Sequence, residues 1–233
     1  MFWRKRPVLR NALICGLQRA EQAIVTPVFK IGGCPVLYEE TEWPVCDSCD
    51  SEMDFLAQIS LKDPMQLSRK FDMAYAFMCP ADSDCETWDP WSGSNCVILQ
   101  RHSENAYVGT RRATPDFGSY PDYKVTFSES AEPDVDTADV DVASRLRTQV
   151  SSETKIGGVP AWIQSNESPT CPECGGDMAF IAQLKAELDG QLPADRGQWE
   201  NYHTLKFGDV GLGYLFLCKD ECCADGAAFL WQC

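Results

Sequence analysis

The sequence predicts an α+β fold, mainly antiparallel β, in which an N-terminal helix precedes two similar halves that arose by internal duplication. Three observations predict this fold. A segment of 29 residues occurs twice, both copies carry cysteines at matching places, and apolar residues near the N-terminus recur at helical spacing. The rest of the chain is divided between short apolar runs and one acidic segment.

The duplication is visible without any gap in the alignment. Residues 30–58 read KIGGCPVLYEETEWPVCDSCDSEMDFLAQ, and residues 155–183 read KIGGVPAWIQSNESPTCPECGGDMAFIAQ. At a constant offset of 125, the two segments are identical at 13 of 29 positions. Ordinary residue frequencies would give about two identities by chance, so the two segments share one origin.

Four segments follow along the chain. We expect an N-terminal helix in residues 1–29, a first repeat in 30–127, an acidic linker in 128–154 and a second repeat in 155–233, with the two repeats packed as one domain. Leu13, Leu17, Ala20 and Ile24 predict the amphipathic helix, because they recur every three or four residues. Residues 128–141 are acidic and lack aromatic side chains, which is typical of an exposed linker.

Short apolar runs predict the strands. In the first repeat these are residues 53–61, 75–79, 97–100 and 123–127, and in the second they are 178–184, 214–218 and 229–232. Residues 75–79 (YAFMC) match 214–218 (YLFLC), and 97–100 match 229–232. No counterpart of the strand at 123–127 follows the second copy.

The chain has 13 cysteines, and eight of them form two sets with the same order. Each set is a C-x-x-C pair, a long spacer, and a second pair after the Y-x-F-x-C strand. Zinc in structural sites takes four ligands at tetrahedral corners, so the pattern predicts two structural zinc ions. The predicted ligands are Cys46, Cys49, Cys79 and Cys85 in the first copy, and Cys171, Cys174, Cys218 and Cys222 in the second, with Cys223 as the alternative to Cys222.

Other roles for the cysteines fit less well. A thioredoxin-like C-x-x-C opens a helix, whereas both motifs here follow a proline and precede a strand. Disulfides are rare in the reducing cytosol, where we expect this protein to reside. Cys15, Cys34 and Cys96 have no partner in the other copy and are expected to be small core residues, and Cys233 is a spare thiol.

A repeated glutamine, Gln58 and Gln183, ends the strand that follows each C-x-x-C. Its amide is expected to satisfy buried backbone groups. The alternative is a polar residue that lines a peptide-binding groove.

Charge and composition restrict the classes of function. The formal net charge is -15 at pH 7, which repels nucleic-acid phosphates and favours encounter with a basic protein. No run of eighteen apolar residues is present, so we expect no membrane span. Only two histidines occur, H-E-x-x-H and G-x-S-x-G are absent, and a zinc ion held by four thiolates has no open position. We therefore expect a non-enzymatic module that binds a protein partner.

Two other functions remain open. A zinc-ribbon protein that binds nucleic acid would need clustered basic residues, and Arg101, Arg111 and Arg112 are the candidates. An enzyme with a site between the halves would use Glu42 and Glu167, which are equivalent in the repeat. Repeated loop carboxylates are more often turn acceptors.

In combination, these motifs resemble a known family. G-G-x-P, W-P-x-C-x-x-C, M-x-F-L-A-Q and Y-x-F-x-C occur in the YwqG-like family of bacterial proteins of unknown function and in the related programmed cell death protein 2 family. The resemblance implies two similar halves packed together, and it implies a chaperone-like role, because the eukaryotic relatives serve a basic ribosomal protein. In the second copy the matching positions are Gly157, Gly158, Pro160, Trp162, Cys171, Cys174, Phe180, Gln183, Phe216 and Cys218.

Overall fold

A computed structural model describes residues 8–80, 85–109, 120–134, 145–189, 203–208 and 210–233. Among these residues, helix is limited to a single turn at 145–147. The prediction of an α+β fold is therefore wrong, and the described part of the protein is nearly all β. The strands are β1 (Leu9–Arg19), β2 (Lys30–Ile31), β3 (Val36–Leu37), β4 (Asp54–Ser60), β5 (Met73–Met78), β6 (Asn95–Gln100), β7 (Tyr107–Val108), β8 (Tyr123–Pro133), β9 (Lys155–Gly157), β10 (Met178–Lys185), β11 (Leu212–Cys218) and β12 (Ala227–Gln232).

Ten of the strands form one antiparallel sheet, in the order β12-β11-β10-β9-β1-β8-β2-β4-β5-β6. Strands β3 and β7 form a separate two-stranded sheet. The two end strands of the large sheet, β6 and β12, lie against each other. The sheet is therefore curled until it is nearly closed.

The duplication is reproduced strand by strand. Strands β2, β4, β5 and β6 of the first repeat pair in the same order as β9, β10, β11 and β12 of the second. The register shifts between Phe55 and Ala57 in β4 and between Phe180 and Ala182 in β10. These β-bulges occupy equivalent positions at the offset of 125, so even the local irregularity of the strand is repeated.

The two central strands complete the symmetry. Strand β8 pairs with β2, where Tyr123 lies opposite Ile31. Strand β1 pairs with β9, where Leu13 lies opposite Ile156, the equivalent of Ile31. Beside the second repeat, β1 therefore takes the place that β8 takes beside the first.

The prediction of an N-terminal helix is wrong for residues 8–29, the part of it that the structure describes. Leu9–Arg19 is a strand that pairs with β8 over its whole length, and residues 20–29 are irregular. Leu13 and Leu17 fit a helix, but they also fit a strand, because two residues that are four apart lie on the same face in both structures. Cys15, between them, packs against the same core, as alternate residues of a strand do.

Strand β8 also runs further than predicted. The strand was expected to end at residue 127, but it continues to Pro133. The added residues are part of the segment assigned to the acidic linker, and they pair with the first half of β1. Residues 135–144 of that linker lie outside the described part of the chain.

The core consists of one shared cluster and two smaller ones. Leu56 and Ile59 of the first half share the large cluster with Ile181 and Leu184 of the second. Phe55 and Phe180, at equivalent positions of the repeat, pack instead in the smaller clusters, each with cysteines of its own half. Neighbouring strand residues point to opposite faces, so Leu56 and Ile181 take the inner face.

None of the described helical residues forms a helix that is long and apolar enough to cross a membrane.

Candidate metal centres

The first cysteine cluster joins one turn to the ends of two strands. Cys46 and Cys49 lie in the turn between β3 and β4, Cys79 directly follows β5, and Cys85 precedes β6. The four Sγ atoms lie within 4.8 Å of one another. Cys46 Sγ is 3.6 Å from Cys85 Sγ, and Cys49 Sγ is 3.5 Å from Cys79 Sγ. Three of the four side chains are buried, and only Cys49 is exposed.

The second cluster has the same construction. Cys171 and Cys174 lie in the turn before β10, Cys218 ends β11, and Cys222 lies in the loop before β12. Its four Sγ atoms also lie within 4.8 Å of one another. The Cys171–Cys222 and Cys174–Cys218 Sγ distances are 3.5 and 3.6 Å. Here Cys174 and Cys222 are both exposed, so this cluster is more open to solvent than the first.

These distances fit a tetrahedral thiolate site. Four sulfur atoms at about 2.3 Å from a zinc ion are roughly 3.8 Å from one another, close to the observed 3.5–3.6 Å. A disulfide would bring two sulfurs to about 2.0 Å, and all 13 cysteines are free thiols. Each cluster could therefore hold a metal ion, and the eight predicted ligands are the residues that the structure brings together.

The C-x-x-C turns owe their shape to short-range backbone bonds. We call residues 45–52 the first knuckle and residues 170–177 the second knuckle. An isolated β-bridge between its first and last residues closes each knuckle. Asp50 N donates to Cys46 O in the first knuckle, and Gly175 N donates to Cys171 O in the second, both at 2.9 Å. The two donor residues, Asp50 and Gly175, have φ of 57° and 68°. Asp and Gly tolerate this left-handed conformation better than most residues.

Hydrogen bonds also lower the pKa of Cys46 and Cys49 in the first cluster and of Cys218 in the second. Burial raises the pKa of the Cys46 thiol, but hydrogen bonds from the Ser94 hydroxyl and from backbone N–H groups of the knuckle outweigh burial and lower it to about 6. Burial likewise opposes the change at Cys218, where backbone N–H groups of Cys222 and Asp220 lower the pKa to about 7. Thiolates are the form that binds metal, so these hydrogen bonds favour ligation.

The comparison with family models places these sites in a known family. The model described as a domain of unknown function, DUF1963, matches residues 29–233. The chain belongs to the DUF1963 family. The matched region contains all eight clustered cysteines.

Similarity to curated proteins is restricted to shorter segments of the DUF1963 chain. It is 35% identical over 68 residues to the uncharacterised protein YpfL of Salmonella typhimurium, which covers 29% of this chain and 15% of that protein. It is 32% identical over 105 residues to programmed cell death protein 2 of Bos taurus, and this segment covers 42% of this chain and 26% of that protein. It is 33% identical over 89 residues to programmed cell death protein 2 of Rattus norvegicus, and this segment covers 36% of this chain and 22% of that protein. The matches therefore span about a quarter or less of these relatives.

The five remaining cysteines of the DUF1963 protein are outside the clusters. Cys15 and Cys96 are sheltered, and burial raises the pKa of each thiol to about 12. Cys34 was expected in the core but is exposed, because it follows Gly33 in a turn rather than a strand. The fourth member of the second cluster is Cys222, and Cys223 lies next to it, with its Sγ 3.5 Å from Cys222 Sγ.

The repeated glutamines support the turn ahead of each knuckle. The Gln58 side chain accepts from Val36 N at 2.7 Å and donates to Val28 O at 2.7 Å. Gln183 makes the equivalent bonds to Ala161 N and Glu153 O, both at 2.9 Å. The prediction that these amides satisfy buried backbone groups is confirmed. They are fully buried, which excludes the alternative of a groove-lining residue.

Two buried carboxylates escaped the sequence analysis. Both carboxylate oxygens of Glu132 accept hydrogen bonds from the Lys155 ammonium at 2.8 Å, and both side chains are almost completely buried. Burial lowers the pKa of Lys155, although the Glu132 carboxylate opposes this effect. In the first copy the equivalent lysine, Lys30, pairs with Asp122 instead. Because Glu132 belongs to neither repeated segment, no repeat signal could have found it.

The second missed carboxylate, Glu221, lies beside a cluster cysteine and spans the two halves. It accepts bonds from Ser68 Oγ at 2.9 Å and from the amides of Arg69 and Lys70 at 2.9 and 2.7 Å. On the other side, Trp231 of the second half donates to Thr87 Oγ1 of the first at 3.1 Å. Residues within or next to the second cysteine pair of each cluster, Glu221 and Thr87, therefore contact the opposite half.

The residues proposed for other functions are not gathered into a site. Glu42 and Glu167 are both exposed, each in the loop ahead of its own knuckle. Arg101 is exposed, with its guanidinium 5.8 Å from the centre of the Phe71 ring. Arg111 and Arg112 lie outside the described residues.

Proposed function

We propose that this protein is a non-enzymatic module that binds a basic protein partner, with a structural zinc ion in each cysteine cluster. One observation carries the proposal. Both clusters bring four thiols within tetrahedral reach of one another, and a zinc ion held by four thiolates keeps no position for water or substrate. Such sites stabilise a fold and present a surface.

The zinc assignment rests on the chemistry of the donors. Four thiolates with tetrahedral spacing are typical of zinc or of an iron–sulfur centre. The C-x-x-C knuckles are typical of structural zinc sites and favour zinc. Reduced thiol ligands are in keeping with a cytoplasmic location, where thiols stay reduced.

The basic partner rests on charge. The net charge of -15 speeds encounter with a cationic protein and opposes binding to nucleic acid. The motifs shared with the YwqG-like proteins and with the programmed cell death protein 2 family support a chaperone-like role of the same kind. Addition of a strand to the sheet is disfavoured as the binding mode, because the end strands β6 and β12 lie against each other.

The test is the charge and salt dependence of binding. Purified zinc-loaded protein should retain cytosolic proteins enriched in Lys and Arg at low ionic strength and release them as salt rises. A single-stranded oligonucleotide should not bind under the same conditions. Partners of neutral or acidic composition, or binding that is indifferent to salt, would contradict the proposal, and so would turnover of a small molecule.

A further inference from the structure

The two halves differ in the loop that follows the second cysteine pair. In the second half, four residues separate Cys222 from β12, whereas in the first half nine residues, 86–94, separate Cys85 from β6. The longer loop contains two tryptophans, Trp88 and Trp91. They are 52% and 45% exposed, and Trp is the side chain that most often dominates binding when it is exposed on a protein surface.

This loop is held in one shape by its own polar contacts. The Asn95 amide donates to Thr87 O and Asp89 O at 2.9 and 3.0 Å, and the Ser92 hydroxyl donates to Glu86 O at 2.8 Å. The Trp88 ring meets Trp231 of the second half edge to face, with ring centres 6.4 Å apart. A loop that is ordered before binding loses less conformational entropy when a partner docks.

The loop lies against the first knuckle, and both are acidic. Asp47 N donates to Gly93 O at 3.0 Å, and the hydroxyls of Ser48 and Ser94 are 3.3 Å apart. Residues 39–61 contain seven Asp or Glu and no Lys or Arg. Residues 85–100 contain two Asp or Glu and no Lys or Arg. At the second knuckle, by contrast, Lys219 pairs with Asp177 at 3.1 Å.

We propose that residues 45–50 and 86–91, here called the first-knuckle surface, are the docking site for an Arg- or Lys-rich segment of a protein partner. This inference rests on the proposed function. Guanidinium groups stack on indole faces by a cation–π interaction that strengthens when water is excluded. The surrounding carboxylates, including Asp50 and Glu86, supply the complementary charge. The second knuckle, which has no equivalent tryptophans, does not take this role.

A defined peptide pair tests the surface directly. The probes are a fluorescent peptide of repeated Arg-Gly units and the same peptide with every Arg replaced by Gln. The full-length, zinc-loaded protein should bind the Arg peptide, more weakly as salt rises, and should not bind the Gln peptide. Trp88→Ala together with Trp91→Ala should weaken binding by about tenfold or more, as expected for two aromatic anchors.

The matched control is Ile163→Ala, which removes a side chain of the second half that is 44% exposed and should leave affinity unchanged. Because Trp88 contacts Trp231 in the other half, the single variant Trp91→Ala is measured as well. It should weaken binding several-fold, and it provides the test if the double variant fails to fold. Zinc content and melting temperature identify folded variants.

The outcomes separate the two proposals. Wild-type protein that does not distinguish the Arg from the Gln peptide would overturn both the proposed function and this surface. Wild-type binding that Trp91→Ala leaves unchanged would overturn the surface and leave the proposed function standing. An oligonucleotide that competes with the Arg peptide for the tryptophans would also overturn the inference.

Discussion

The Ser68 hydroxyl of the first half donates to the Glu221 carboxylate of the second half at 2.9 Å. Glu221 is 5% exposed, and both of its oxygens accept further bonds from backbone amides of the turn that follows Ser68. Burial raises the pKa of this carboxyl, but those hydrogen bonds outweigh it and lower the pKa. The halves are therefore joined through a residue adjacent to Cys222 of the second cysteine cluster.

Glu221→Gln should destabilise the protein by about 1–3 kcal/mol, because one oxygen becomes an amide nitrogen that cannot accept from a buried donor. Chemical denaturation measures the loss in free energy of unfolding. The matched control is Glu173→Gln, an exposed carboxylate in the second knuckle, whose effect should stay within about 0.5 kcal/mol. Equal effects of the two substitutions would show that Glu221 does not join the halves.

The Lys155–Glu132 pair gives a second prediction. Lys155→Met should cost about 3–5 kcal/mol, because it leaves the Glu132 carboxylate buried without its cation. Combining Lys155→Met with Glu132→Gln should recover part of that loss, since the pair is then neutral. Lys185→Met serves as the control, because Lys185 is partly exposed in its ion pairs and should cost about 1 kcal/mol or less. A double variant that is no more stable than Lys155→Met would contradict the account.

The N-terminal strand is tested by whether Gly16 and Thr126 are energetically coupled. A Cβ at Gly16 would lie 2.7 Å from Thr126 Oγ1 on β8, so this contact should offset the stabilisation of about 0.5–1 kcal/mol that Ala otherwise gives in place of Gly. Adding Thr126→Ala removes the obstructing oxygen, so Gly16→Ala should be more favourable in that background than in the wild type, as measured by thermal unfolding. In an N-terminal helix that does not pair with β8, the effects of the two substitutions would simply add. Additive effects would therefore contradict the strand.

The sequence predicted what is encoded locally or repeated. The knuckles could be predicted because their spacing is fixed by a few consecutive residues, and the role of Gln58 because Gln183 repeats it. The strand at Leu9–Arg19 could not, because Leu13 and Leu17 suit either period and only the pairing with β8 and β9 decides. Glu132 and Glu221 escaped for the same reason. Their partners are far away in the chain, and neither carboxylate has a counterpart in the other repeat.

The central claim is that each half closes on its own thiolate-bound zinc ion, and the zinc stoichiometry tests it most directly. Native mass spectrometry of protein purified without added metal should find two zinc ions per chain. Cys49→Ser and Cys174→Ser should each lower the count by about one and destabilise the affected half. Cys15→Ser should keep both ions and cost on the order of 1 kcal/mol. Fewer than one zinc per chain, with the clustered cysteines paired as disulfides, would contradict the account.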